Sequence, residues 1–201
     1  MPPKVCAIVP AAGRSRRMGR CKPLLPLGER PVIRHLVGTL FEAGLDAVLV
    51  VTGAEGAAIG RALAGLTVTL VDNPDPESDM AASLRLGLRS TPDDATALLV
   101  CPADHPLVGV SAVRALLARH RAEPAAILIP TCDGRSGHPV LLPRPVAEEL
   151  FTLPTLRDVV HRLPQRCRRL EVADPGVTLD MDTPEDYRRV LALWQSYVPS
   201  A

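Results

Sequence analysis

The sequence predicts an α/β fold with a mostly parallel sheet, and three observations carry that reading. Short apolar runs of strand length alternate with segments of helical period along nearly the whole chain. The connections are short, with 21 prolines dispersed as punctuation between elements. Charged loops follow the strands, the side of an open sheet where ligands bind. Val5 to Val9 is a continuous apolar run, short enough for a buried strand. After a Gly/Arg-rich loop, Val32 to Ala43 reads as a helix, with Pro31 suited to its first turn. Ala47 to Val51 repeats the strand pattern, Ile59 to Leu63 sits in a second helix, and Val68 to Val71 makes a third strand. Met80, Leu84 and Leu88 recur every four residues on one helix face. Ala97 to Cys101 is a fourth strand, Val113 to Leu117 lies in a helix, and Ala126 to Ile129 is a fifth strand. Asp133-Gly134 supplies turn chemistry, so Val140 to Leu142 returns as a strand. Two short helices, strands near Leu170 to Val172 and Val177 to Leu179, and a final helix from Pro184 complete the chain. With 201 residues and no linker or repeat, residues 1–201 are expected to form one domain.

Composition excludes several classes. At 47% hydrophobic and 22% charged, the chain has the makings of a core rather than of disorder. Its net charge is +1, so no whole-molecule field draws it to nucleic acid or anionic lipid. Five aromatic residues (Phe41, Phe151, Tyr187, Trp194, Tyr197) leave no stacking platform for single strands. The apolar runs fall well short of the ~20 residues of a membrane span. Met1-Pro2-Pro3-Lys4 lacks the layout of a signal peptide. The five cysteines are an odd, scattered set without a C-x-x-C pair, and Cys132 with His138 would be a weak metal pair. The expectation is a reduced, cytoplasmic protein with neither nucleic acid nor membrane as partner.

The loops at the strand ends are therefore the candidate site. After the first strand comes Ala11-Ala12-Gly13-Arg14-Ser15-Arg16-Arg17-Met18-Gly19-Arg20-Cys21-Lys22-Pro23, with two glycines and five cations. Backbone N–H groups at glycine turns and clustered cations suit phosphate oxygens. The loop is neither a Walker loop, since Gly13 and Gly19 lie too far apart and Pro23 comes directly after Lys22, nor a Rossmann fingerprint. On composition alone a solvated basic turn is an equal reading. Only Lys4 and Lys22 are lysines among 23 basic residues. A lysine kept in an arginine-rich loop suggests that a compact ammonium on a flexible stem is wanted there. Asp72-Asn73-Pro74 comes after the third strand, Pro102-Ala103-Asp104-His105-Pro106 after the fourth, and Asp180-Met181-Asp182 late in the chain. Asp104, with a carboxylate from the Asp180 and Asp182 pair that would face one side of a strand, is a candidate ligand set for a hard cation such as Mg²⁺, shared with a polyphosphate. Asp182 also reads as a helix cap or first-turn residue before Thr183-Pro184-Glu185. Gly53, Gly56 and Gly60 read as turn and packing glycines.

The first loop, with Arg17 and Lys22, resembles the nucleotide-binding signature of the MobA-like nucleotidyltransferases, and most of all that of the molybdenum cofactor cytidylyltransferases. The Met80 to Leu88, Ala103 to Val108, Gly137 to Leu141 and Asp180 to Tyr187 segments resemble that family's further blocks in the same order. The resemblance implies a Rossmann-like three-layer sandwich of the nucleotide-diphospho-sugar transferase type. It implies that a substrate phosphate attacks the α-phosphate of an NTP and that pyrophosphate leaves. By similarity Ala11, Ala12, Gly13, Arg14, Lys22, Asn73, Met80 and Ser83 bind nucleotide, and Lys22, Arg17 and Asp104 serve catalysis. Asp104 and Asp182 hold Mg²⁺, while Gly137, His138 and Pro139 line the acceptor side. The implied substrates are CTP and molybdopterin, with a client molybdoenzyme as further partner. Ala12 carries the CTP expectation, because guanylyl-transferring relatives tend to have glycine there.

The chain also departs from the pattern. Pro10 replaces an apolar strand residue, His105 a glutamine, and Asp79 a glycine, which sets a carboxylate beside the base pocket. Leu153-Pro154-Thr155-Leu156-Arg157-Asp158 stands where a glycine-aspartate-x-glycine-x-arginine segment is expected at the acceptor end. Two classes stay open. One is an Mg²⁺-dependent nucleotidyltransferase acting on molybdopterin, with CTP or GTP, or on another acceptor such as a sugar phosphate. The other is a relative that binds nucleotide or cofactor and delivers it as a chaperone. Lys22, Asp104 and Asp182 together favour the enzyme.

Overall fold

The computed structural model describes residues 4–15, 17–45 and 47–197; Arg16 of the basic loop and the Tyr197 side chain lie outside that description. Strand β1 (Val5–Ala11) is central, because its continuous apolar run can be covered on both faces. It pairs in parallel with β4 (Ala47–Thr52) on one side and β6 (Ala97–Val100) on the other. A small ribbon, β2 (Pro26–Leu27) with β3 (Arg30–Pro31), precedes helix α1 (Val32–Glu42). Helix α2 (Gly56–Ala62) leads to β5 (Thr69–Asp72), parallel to β4. Helix α3 (Met80–Arg89) precedes β6, and α4 (Val110–Ala122) precedes β7 (Ile127–Cys132). The Asp133-Gly134 turn leads into β8 (Arg135–Ser136), which pairs antiparallel with β7. Strand β9 (Val140–Pro143) then inserts antiparallel between β6 and β7. Helices α5 (Arg144–Ala147) and α6 (Leu156–Arg162), edge strand β10 (Cys167–Glu171) and α7 (Pro184–Tyr197) complete the order. The sheet runs β10-β7-β9-β6-β1-β4-β5.

Alternation along β1 sorts the core into two layers. Ala7 and Val9 pack with α1, α2 and α4 residues such as Leu36, Ile59 and Leu116. Cys6 and Ile8 face Leu84 and Leu88 of α3, with Val146 and Val159 farther along the same side. This is the three-layer, mostly parallel arrangement the sequence predicts. A third cluster joins Met18, Leu25 and Leu27 of the first loop to Leu179, Met181 and Val190 at the start of α7. It ties the two ends of the chain together at one side of the sheet.

One predicted strand is not a strand. Residues Pro175–Thr178 form a 3₁₀ helix, so Val177 belongs to a turn. Asp174 accepts hydrogen bonds from the Gly176 and Gly109 N–H groups. A Cβ on Gly176 would lie 2.0 Å from the Leu107 carbonyl oxygen, so only glycine fits that approach.

Candidate active site

Strand order reverses at β1, whose sequence successor β4 lies on one side while β6 lies on the other. The crevice beyond the carboxyl ends of β1 and β6 is the switch point where such sheets bind ligands. There a cavity of about 140 Å³ is lined by Ala11 to Gly13, Lys22, Met80, Ser83 and Asp104, among others. A Cβ on Gly13 would meet nothing within 4 Å, so the loop backbone is open for a close approach. The next turn folds on Ser15, which sits at φ 50°. Its carbonyl accepts from Met18 and Gly19 N–H, and its hydroxyl accepts from Lys22 N–H. With Met18 buried in the third cluster, the turn aims Lys22 inward.

Lys22 Nζ lies 2.5 Å from Asp182 Oδ1 and 3.7 Å from Asp104 Oδ2. Arg17 reaches the other oxygen of Asp182 at 2.5 Å. The lysine side chain is only 13% exposed, against 25% and 28% for the two aspartates, so solvent screens this group less than a surface pair. Asp182 does not cap α7. Thr183 and Asp186 do, each side chain accepting from the other's backbone N–H, and Asp182 is thereby left to the cations. Asp180 is exposed and, although two residues from Asp182, has no part in the cluster among the described contacts. The two carboxylates converge on one cation from distant parts of the chain, and their hard oxygens suit Mg²⁺ or Mn²⁺. Two protein carboxylates are what such an ion needs when a polyphosphate supplies the rest.

Asp104 also holds His105, with Nδ1 2.9 Å from its Oδ1. Burial pushes the Asp104 carboxyl up, but the His105 hydrogen bond and the nearby His105, Lys22 and His138 charges outweigh it. The carboxyl is held below its ordinary range, so His105 Nδ1 donates the bond. The His105 ring meets His138 edge-on at 4.8 Å. Burial, and then His105, push His138 down to about 4, so its imidazole is neutral at pH 7.

The other expected residues fall into distinct places. Asn73, 4% exposed, stands behind the cavity and donates from Nδ2 to Ser78 and Ser83 Oγ, which line it. Arg14 is paired with Glu77 on the loop rim. Asp79, the departure beside the base pocket, caps α3 by accepting from Ala82 N–H at 2.7 Å, where the helix dipole offsets its charge. Gly137 packs against backbone, since its Cβ would lie 2.0 Å from the Val177 carbonyl oxygen. His138 lines a second, wider cleft of about 910 Å³, which shares Asp79 and Met80 with the first. In place of the expected acceptor-end segment, Thr155 and Asp158 form the capping box that starts α6. Sequence reasoning missed two cleft residues, Arg157 on α6 and Arg169 on β10. The four-residue spacing of Arg157 and His161 was the available signal.

Residues 7–170 match the MobA-like NTP transferase domain family. The molybdenum cofactor cytidylyltransferase of Escherichia coli is 22% identical over 90% of this chain and 92% of its own. The molybdenum cofactor guanylyltransferase of Xanthomonas euvesicatoria is 29% identical over 92% and 93%. The Rv0371c protein of Mycobacterium tuberculosis, solved in complex with manganese, superposes with a TM-score of 0.78. It is 26% identical, covering 96% of this chain and all of its own.

Proposed function

This chain belongs to the MobA-like NTP transferase family, and from that premise we propose that it is an Mg²⁺-dependent cytidylyltransferase acting on molybdopterin, one nucleotidyltransferase domain over residues 1–201. The observation that carries the reading is the Lys22 ammonium bracketed by Asp104 and Asp182 beside the open Gly13 backbone, at the switch point of the sheet. In the reaction, an oxygen of the acceptor phosphate attacks the α-phosphorus of the nucleotide. The bond from that phosphorus to its bridging oxygen breaks, and the oxygen leaves on pyrophosphate. Little covalent work is asked of the protein; alignment and charge neutralisation dominate.

Ala11, Ala12 and Gly13 lie against the base and ribose, and Lys22 and Arg17 neutralise phosphate charge. Ser83, positioned by Asn73, faces the nucleotide. Asp104 and Asp182 hold Mg²⁺, which supplies charge neutralisation at the phosphates when bound. His105 keeps the Asp104 carboxylate ionised and oriented. His138 lines the wider cleft, and with its neighbours Gly137 and Pro139 it is assigned to the acceptor side. Pyrophosphate release, measured with each NTP against molybdopterin and a panel of sugar phosphates, tests the assignment. Release with CTP and molybdopterin is expected. A preference for GTP ends the cytidylyl reading, and binding without release from any pair makes the protein a carrier.

A further inference from the structure

Both oxygens of Asp182 are already taken by cations: Oδ1 lies 2.5 Å from Lys22 Nζ, and Oδ2 lies 2.5 Å from Arg17. On Asp104, Oδ1 accepts the His105 hydrogen bond, and Oδ2 faces the same Lys22 ammonium at 3.7 Å. Nζ lies near both carboxylates, so it stands where a cation shared between them belongs. Two carboxylates that converge in a partly buried place repel one another unless a positive charge sits between them. Lys22 supplies that charge. A metal ion that takes Asp104 and Asp182 together must first displace it.

The lysine can leave that place without refolding the loop. Its backbone is held on both sides: the N–H donates to Ser15 Oγ, and the carbonyl accepts from Leu25 N–H across a 3₁₀ turn. What can move is the flexible stem and its compact ammonium. Lys22 borders the cavity that the open Gly13 backbone also lines, so a polyphosphate bound there offers the ammonium a second anionic partner. Arg17 is largely exposed and equally free to turn. Lys22, Arg17, Asp104 and Asp182 together carry no net charge. A divalent ion arriving alone would strand two cations, and a polyphosphate arriving alone would strand two carboxylates. Either leaves partly buried charge unpaired. Arriving together, each ligand provides the partners that the other displaces.

We propose that Lys22 and Arg17 keep the metal carboxylates closed in the free protein, and that the phosphates of the nucleotide open them by drawing the two cations away. Divalent ion and nucleotide are then coupled, each raising the affinity of the protein for the other by the same factor. The free protein takes up divalent ions poorly, and it holds a metal-free nucleotide weakly. This deepens the function proposed above and rests on it for the nature of the two ligands, whereas the competition rests on the ion pairs themselves.

The test is Mn²⁺ binding to the full chain with no nucleotide present, read as loss of the hydrated Mn²⁺ signal in electron paramagnetic resonance. Lys22→Met keeps the stem and removes the competing charge, so it should bind Mn²⁺ roughly tenfold or more tightly than the parent, within the usual range of such couplings. Arg17→Met, which frees one oxygen of Asp182 from an exposed partner, should show a smaller gain. Lys22→Arg keeps the charge and should stay near the parent. Adding Asp104→Asn to Lys22→Met should abolish the gain, because the ion then lacks one of its carboxylates. Parent-level binding in both methionine variants overturns the proposal, as does a gain that survives Asp104→Asn or that Lys22→Arg shares in full. If Lys22→Met does not fold, Arg17→Met decides alone, and parent-level binding there overturns it. The gain in Mn²⁺ affinity, with no pyrophosphate released by the parent from any NTP and acceptor, sinks the activity assignment and leaves this one standing. Release with CTP and molybdopterin, alongside parent-level Mn²⁺ binding in the variants, does the reverse.

Discussion

Beside the smaller cavity the loop cations are paired with carboxylates: Lys22 to Asp182 and Asp104, Arg17 to Asp182, Arg14 to Glu77. Around the wider cleft, more than six times larger, Arg157 and Arg169 form no ion pair among the described residues. In the proposed reaction Asp104 and Asp182 serve a metal ion and Lys22 serves phosphate, so binding of the metal nucleotide exchanges these ion pairs for new ones. The helix start at Asp79 and Met80 separates the two regimes.

The sharpest way to break this contrast is Lys22→Ala. Turnover should fall by an amount on the order of 3 kcal/mol in barrier, by analogy with losing one oxyanion donor. Lys22→Arg should recover only part, since its planar fork differs in shape from an ammonium. Steady-state rates at saturating nucleotide check it; parent-level turnover in Lys22→Ala would assign the lysine to structure alone.

Asp104→Asn and Asp182→Asn should each abolish tight Mg²⁺-nucleotide binding in calorimetry. The two should be equally severe, because Thr183 rather than Asp182 caps α7. If both variants bind the complex as the parent does, the two-carboxylate metal site is wrong.

His138, on the cleft wall yet in edge-on contact with the histidine that holds Asp104, couples the two cavities to pH. Its folded value of about 4 lies below the ordinary 6.5. Between those values the unfolded chain takes up a proton that the folded protein refuses. Stability should therefore fall as pH drops from about 6.5 to about 4, by on the order of 3 kcal/mol, and then level off. Buried His120 is shifted in the same direction and adds to the slope. Urea unfolding of the parent and His138→Asn at pH 7.5 and 4.5 separates the two: the variant should lose less. An identical loss in both would mean that His138 titrates as an exposed imidazole.

The smallest effect is expected at the base. A Cβ built on Gly53 would lie 3.5 Å from Ala12 Cβ, so the Ala12 methyl leans toward β4 at the cavity edge. Ala12→Gly should narrow the preference for CTP over GTP by ~1–3 kcal/mol or less, the usual worth of one methyl-sized difference. Specificity constants for both nucleotides in parent and variant decide it, and an unchanged ratio removes Ala12 from base selection.

Alternating strands and helices are legible because short apolar runs are decided by burial on both faces, as in Val5 to Val9. Val177 to Leu179 reads as a strand although Asp174-Pro175-Gly176 carries turn chemistry. Its apolar residues serve two small clusters rather than the sheet: Val177 packs with Ala112 and Cys132, and Leu179 with Met181 and Val190. At the site, Lys22, Asp104 and Asp182 are each legible from loop position. Asn73 is expected to bind nucleotide, whereas in the structure its amide donates to Ser78 and Ser83 and it does not line the cavity itself. Arg157 and Arg169 carry no local signal strong enough to single them out, because only the packing of α6 and β10 brings them to one cleft.

By itself the sequence determined the alternation of elements, the open glycine-bearing loop after β1, and a lone lysine among arginines. Those depend on residues close together along the chain, where period, burial and turn chemistry act. Only the tertiary structure decided that Lys22 meets a carboxylate 160 residues away. Met18, Leu25 and Leu27 pack on Leu179, Met181 and Val190, and that buried contact brings the loop and the start of α7 within reach of one another. The same holds for Arg157 and Arg169, which β10 and α6 bring to one cleft by joining the far edge of the sheet. Such meetings are settled by how apolar faces bury one another, a long-range matter that local propensity does not encode.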